Sequence, residues 1–145
     1  MRSARRPRAP EILVVDDSAS YGALLERVLS DAGYVVSRAS SVDEALGLLS
    51  RRRVDVVLSD LSMPGASGLD LLRILRERMP GLPFVLTGGT LTPDVEAHAR
   101  RLGAATIGKE ATLAELRALL AAALEPRAGR STCDRLRRES RSAAR

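Results

Sequence analysis

Val54-Asp55-Val56-Val57-Leu58-Ser59-Asp60-Leu61-Ser62-Met63-Pro64-Gly65-Ala66-Ser67-Gly68 decides how this chain folds. Its first part is short, apolar and rich in valine, the pattern of a strand buried on both faces, as strands of parallel sheets are. The run stops at Asp60. Pro64, Gly65 and Gly68 then mark a loop.

The same unit recurs on either side. Upstream, Glu11–Val15 is a second apolar run and ends in Asp16-Asp17. Ser18 can cap a helix reaching about Ala32, with Leu24, Leu25, Val28 and Leu29 at helical spacing and Gly33 as its stop. Residues 34–39 predict another strand. Ser41 precedes Glu44 by three, a capping-box spacing that opens a helix to about Arg51. Downstream, a helix is predicted over 69–78, a strand over 82–87 closed by Gly88-Gly89, and a helix from Thr92-Pro93 to Gly103. A weak strand over 104–107 and a helix over 113–124 complete the pattern.

Five strand–helix units in strict alternation predict an α/β domain, a five-stranded parallel sheet with helices on both faces. Ligands of such sheets bind beyond the carboxyl ends of the strands. Those ends carry Asp16 and Asp17, Asp60, Thr87 and, after the last strand, Lys109. Carboxylates crowded on one rim repel and raise each other's pKa. A divalent cation relieves that cost, and oxygen-only ligands suit Mg²⁺. The cation can bridge Asp60 and a phosphoryl oxygen, with Lys109 and the Thr87 hydroxyl on the others and the Gly88 amide within approach. The expected product is an acyl phosphate on Asp60. Of 23 basic residues 22 are arginine, and the one lysine is Lys109.

These residues resemble the receiver domain of two-component response regulators. The resemblance spans about residues 11–125 and rests on Val14-Val15-Asp16-Asp17-Ser18, Asp60-Leu61-Ser62-Met63-Pro64 with Gly68, Leu86-Thr87-Gly88, and Gly103-Ala104 leading to Lys109. It implies a flavodoxin-like (βα)5 fold with strand order 2-1-3-4-5. It implies Asp60 as phosphoacceptor, with Thr87 as the switch hydroxyl and Lys109 as the phosphoryl-binding cation. Asp16, Asp17, Asp60 and the Ser62 backbone carbonyl would hold Mg²⁺. The donor would be a phosphohistidine on a sensor histidine kinase or phosphotransfer protein, and the output a changed contact with a downstream protein. Such a module is no enzyme beyond its own phosphorylation and dephosphorylation. The sequence departs from the family in two places. Glu110 stands where proline commonly follows the lysine, on a segment one residue shorter than usual. Thr106 stands where an aromatic switch residue is expected.

Charge is unevenly spread. Residues 1–10 hold four arginines and no acid, and 126–145 hold seven against Asp134 and Glu139. Residues 11–125 therefore carry 12 basic and 16 acidic groups, a net of −4. The ends read as a basic disordered arm and an arginine-rich disordered tail on a stand-alone domain. No apolar run approaches the roughly 20 residues of a membrane span. With one cysteine, Cys133, no internal disulfide can form, and a cytoplasmic protein is expected.

A competing reading keeps the fold but signals without phosphorylation, contacting nucleic acid through the arginine-rich ends; steep salt dependence would reveal it. An aspartyl phosphohydrolase would want a second acid two residues after the nucleophile, where Ser62 stands. A dinucleotide-binding domain would want a glycine fingerprint after the first strand, which is missing.

Overall fold

Side chains alternate between the two faces of a strand, and this sheet uses the alternation to build two cores. The computed structural model describes residues 8–125. Along them run β1 (Glu11–Val15), α1 (Ala19–Asp31), β2 (Val35–Ala39), α2 (Val42–Arg51), β3 (Val56–Asp60), α3 (Gly68–Arg78), β4 (Phe84–Gly88), α4 (Pro93–Arg101), β5 (Ala105–Gly108) and α5 (Leu113–Leu124). The strands form one parallel sheet in the order β2-β1-β3-β4-β5, as expected.

On one face, Leu13, Val15, Val57, Phe84 and Leu86 lie under Ala45 of α2, Leu71, Leu72 and Leu75 of α3, and Ala99 of α4. On the other, Ile12, Val14, Leu58 and Val85 lie under Leu25 and Leu29 of α1 and Leu116 and Leu120 of α5. Aliphatic side chains fill both cores, as the scarcity of aromatics requires. Each buried leucine contributes about 1.5–3 kcal/mol.

All five helices begin at a hydroxyl. Ser18, Ser41, Ser67, Thr92 and Thr112 each accept a hydrogen bond from the amide three residues on, satisfying one of the orphan donors of a helix start. The box expected at Ser41 closes differently. Glu44 turns its carboxylate to the amide and hydroxyl of Ser40, at 3.1 and 2.7 Å, one residue upstream. Complete boxes stand instead at Ser67–Asp70 and Thr112–Glu115. Gly33 and Gly103, with φ of 98° and 76°, end α1 and α4 in the left-handed region that only glycine enters cheaply.

The strand limits shift slightly from the sequence reading. Pro83 has no N–H to give, so β4 starts at Phe84, while the Pro83 carbonyl accepts from Val57. Asp55 spends its amide and carboxylate on Glu11, and β3 starts after it. Leu24, on the expected apolar stripe of α1, is half exposed. Arg76 of α3 reaches the carbonyls of Leu102 and Leu82, tying the end of α4 to the approach of β4.

No helix of the described residues is long and apolar enough to cross a membrane. Residues 1–7 and 126–145, which hold Cys133 and most of both basic ends, lie outside the described residues. Arg8 pairs with Glu11 at 2.9 Å and Pro10 accepts from the Val35 amide.

The Ser37 hydroxyl of β2 is buried with no hydrogen-bond partner among the described residues. An unsatisfied buried hydroxyl is a cost. Ser37→Ala is therefore expected to leave stability unchanged or raise it by up to about 1 kcal/mol. Leu71→Ala, at a fully buried position, is expected to lose about 2–5 kcal/mol. Urea unfolding of the two variants beside the wild type checks both.

Candidate functional site

The alternation that builds the α1/α5 core also places the polar rim. Two residues beyond Val14 lies Asp16, beyond Leu58 lies Asp60, beyond Val85 lies Thr87, and beyond Ile107 lies Lys109. All four continue the same face of the sheet past its last apolar layer. Asp60 and Thr87 are direct neighbours in the β3–β4 register. Asp17 follows Asp16 in the turn into α1.

Carboxylate oxygens of Asp16, Asp17 and Asp60 all lie within 4.8 Å of one another. Asp16 and Asp60 are buried and Asp17 is exposed. Lys109 Nζ lies 3.3 Å from Asp16 Oδ2 and 3.3 Å from Asp60 Oδ2. Asp16 Oδ1 accepts from the Ser18 amide at 2.8 Å, and Asp60 Oδ1 from the Ser62 amide at 3.4 Å. Asp16 Oδ2 is buried with no hydrogen bond and faces only the Lys109 ion pair. Thr87 is buried and gives its carbonyl to the Leu61 amide at 2.7 Å, pinning the start of the loop after Asp60.

Three carboxylates against one ammonium leave two negative charges uncompensated in a partly buried space. The strain shows in the titration of the groups. Burial, then the charge of Asp16, raises the Asp60 pKa, and Lys109 and the Ser62 amide only partly oppose this. For Lys109, burial pulls the pKa down, but Asp16 and Asp60 together hold it above its ordinary value. A hard divalent cation suits this donor set: oxygen only, two buried acids, one exposed acid, and a buried carboxylate oxygen without a hydrogen bond.

Gly68 explains why the loop carries glycine there. Its amide bonds the Leu61 carbonyl at 2.9 Å, and a Cβ at this position would run into the Asp60 carbonyl oxygen. The loop thus closes directly on the backbone that carries Asp60.

Sequence reading brought Asp16, Asp17, Asp60, Thr87 and Lys109 to one rim, and the structure has them there. Ser62, exposed beside Asp60, touches the site through its amide. One neighbour went unseen. Tyr21 of α1 places its ring 4.6 Å below Lys109 Nζ; its position three residues after the Ser18 cap was the available signal. Glu110 folds back so that its carboxylate occupies the space a side chain on Gly108 would take. Gly108 projects to the face opposite Lys109, the face of Thr106.

Comparison with known proteins agrees with this fold. Residues 12–121 match the family model of the response regulator receiver domain, and the chain belongs to that family. It is 37% identical over 93 residues to the DNA-binding transcriptional regulator NtrC of Salmonella typhimurium, covering 64% of this chain and 20% of that protein. It is 32% identical over 121 residues to the sensory/regulatory protein RpfC of Xanthomonas campestris pv. campestris, covering 80% of this chain and 17% of that one. It therefore spans about a fifth of the length of the curated relatives it matches. The receiver domain of HemR from Leptospira biflexa superposes with a TM-score of 0.76 at 28% identity, over 81% of this chain and 96% of that one. A receiver domain from Clostridium thermocellum gives 0.75 at 29% identity, over 79% and 94%. The chain is thus a receiver domain of the two-component response regulators, a family of signalling modules.

The raised Asp60 pKa predicts a pH signature in metal-free buffer. Unfolded Asp60 loses its proton near 3.8 and folded Asp60 at higher pH, so folding weakens as pH rises through that window. Asp60→Asn should be the more stable protein at neutral pH, with the advantage fading as pH falls towards 4. Lys109 gives a slope of the same sign, although its charged form stabilises: its contribution holds below 10.5 and is lost as pH rises through its higher folded value. Gly68→Ala is expected to cost about 1–3 kcal/mol. Denaturant midpoints across pH test all three.

Proposed function

We propose that this chain accepts a phosphoryl group on a carboxylate oxygen of Asp60, from a phosphohistidine of a sensor histidine kinase or phosphotransfer protein. The observation that carries the reading is the placement of buried Asp60 between an acidic group fit for a divalent cation and the Lys109 ammonium. The phosphorus–nitrogen bond of the donor breaks and a phosphorus–oxygen bond to Asp60 forms. Burial makes the Asp60 carboxylate more basic, which strengthens it as a nucleophile.

Each remaining group has a task in this reading. Lys109 leaves Asp60 for a phosphoryl oxygen, and the Thr87 hydroxyl donates to a second. Asp16, Asp17, Asp60 and the Ser62 carbonyl would hold Mg²⁺. When bound, that ion supplies counter-charge for the carboxylates and the phosphoryl oxygens. Gly88, without a side chain, leaves its amide open. The output is a changed contact with a downstream protein. Reorientation of an aromatic on β5 has no residue to carry it here, since Thr106 stands in that position and the Glu110 carboxylate lies over the neighbouring Gly108.

Intact-protein mass after incubation with Mg²⁺ and acetyl phosphate tests the chemistry. The wild type should gain one phosphoryl group. Asp60→Ala, or omission of Mg²⁺, should abolish the gain, and Lys109→Ala should slow it by roughly 100-fold. No gain from either acetyl phosphate or a phosphorylated histidine kinase would sink the reading in favour of a phosphorylation-independent binding protein.

A further inference from the structure

Lys109 is held by an unusual set of constraints. Four rotatable bonds separate its ammonium from the backbone, and ordering such a side chain costs up to about 2 kcal/mol of rotamer freedom. The residue before it is Gly108 and the one after it is Glu110, so neither neighbour stiffens the backbone as a proline would. Beyond the β4–β5 ladder, which ends at Gly108, the backbone is tied by the Lys109 amide on the Gly88 carbonyl, at 3.0 Å, and by the Ala111 amide on the Gly108 carbonyl, at 3.1 Å. The two carboxylates share the ammonium evenly at 3.3 Å each. That is longer than the roughly 2.7–2.9 Å of a strong charge-assisted hydrogen bond, although the ammonium does donate to Asp60 Oδ2, so neither acid holds it tightly.

A third contact closes the cage. The Tyr21 ring lies 4.6 Å from Lys109 Nζ, inside the range at which an aromatic face attracts a cation. Tyr21 is fixed from behind, because its amide bonds the Ser18 cap at 3.3 Å and its body packs against the α1/α5 core. A cavity of about 220 Å³ adjoins the ring and is lined by Tyr21, Leu24, Ile107, Lys109, Leu113 and Leu116 among others. The ring is thus anchored by its own helix and the core beneath it, and the ammonium of the long lysine stem is the partner that needs a fixed face to rest on.

We infer that Tyr21 is the positioning residue for Lys109: its ring face holds the ammonium between Asp16 and Asp60, poised for an incoming phosphoryl oxygen. This rests on the phosphoacceptor reading for its purpose, though not for its geometry. The chain offers few other candidates, since Tyr34 and Phe84 are its only other aromatics, and among the described residues Tyr21 is the ring that lies against Lys109. Tyr21 touches no reacting atom and acts only through Lys109.

The single lysine of the chain makes the test direct. In protein labelled with ¹³C-lysine, one side-chain Hε–Cε signal reports Lys109. The wild type is expected to show that signal upfield, as protons over a ring face are shielded, with a nuclear Overhauser contact to a tyrosine ring. Tyr21→Phe should keep the upfield shift. Tyr21→Leu should move the signal to the position of free lysine, narrow it through greater mobility, and slow phosphorylation by acetyl phosphate about three- to tenfold. Tyr34→Phe should change none of these. An unshifted wild-type signal with no ring contact overturns the inference, and does so even if the leucine variant fails to fold. So does a Tyr21→Leu protein whose lysine signal and phosphorylation rate match the wild type. If the wild type shows the shifted signal but takes no phosphoryl group, the cage stands and the phosphoacceptor reading falls instead.

Discussion

Like charges brought together at the end of a sheet govern this molecule. A parallel sheet directs every strand's carboxyl end to one rim, and a period of two turns Asp16, Asp60, Thr87 and Lys109 to one face of it. The apolar layers below give the strands their stability, and the rim consumes part of it. Asp60 sits among acids in a place that burial makes costly, and a single ammonium is shared between two of them. The fold is arranged to hold a site that would not assemble by itself, which is the usual relation between a scaffold and its chemistry.

Much of this was legible because the signals are local. Short valine- and leucine-rich runs ending in Asp17, Asp60 and Thr87 fixed the number of strands, their parallel direction and the rim where chemistry belongs. The hydroxyl caps at Ser18, Ser41 and Thr92 marked helix starts, and Gly33 and Gly103 marked stops. The strand order came through resemblance, since alternation alone permits several orders. Strand edges were less clear. Pro83 and Asp55 moved them by a residue or two through hydrogen bonds between distant segments.

What the sequence hid depends on side chains reaching across elements. Tyr21 drew no notice in the sequence, because only the folded chain brings its ring under Lys109. A Cβ on Gly22 would meet the Arg38 guanidinium, which reaches over α1 to the Ala19 carbonyl and Glu26, a contact that neither residue announces in the sequence. The partner of Glu44 was off by one residue, because a long flexible acid takes whichever donors its helix start presents. In each case the residue type was visible and its partner was not.

The closure of Gly68 on Asp60 also says something about how this chain can be altered. Residues 61–68 form a ring sealed by the Leu61–Gly68 hydrogen bond and by the bare Cα of Gly68 against the acceptor's own carbonyl. A ring of that kind is quantised in length. One residue more or fewer would break the seal or shift the acceptor along its strand. The segment behind the acceptor therefore behaves as a part of the sheet that happens to lack strand geometry.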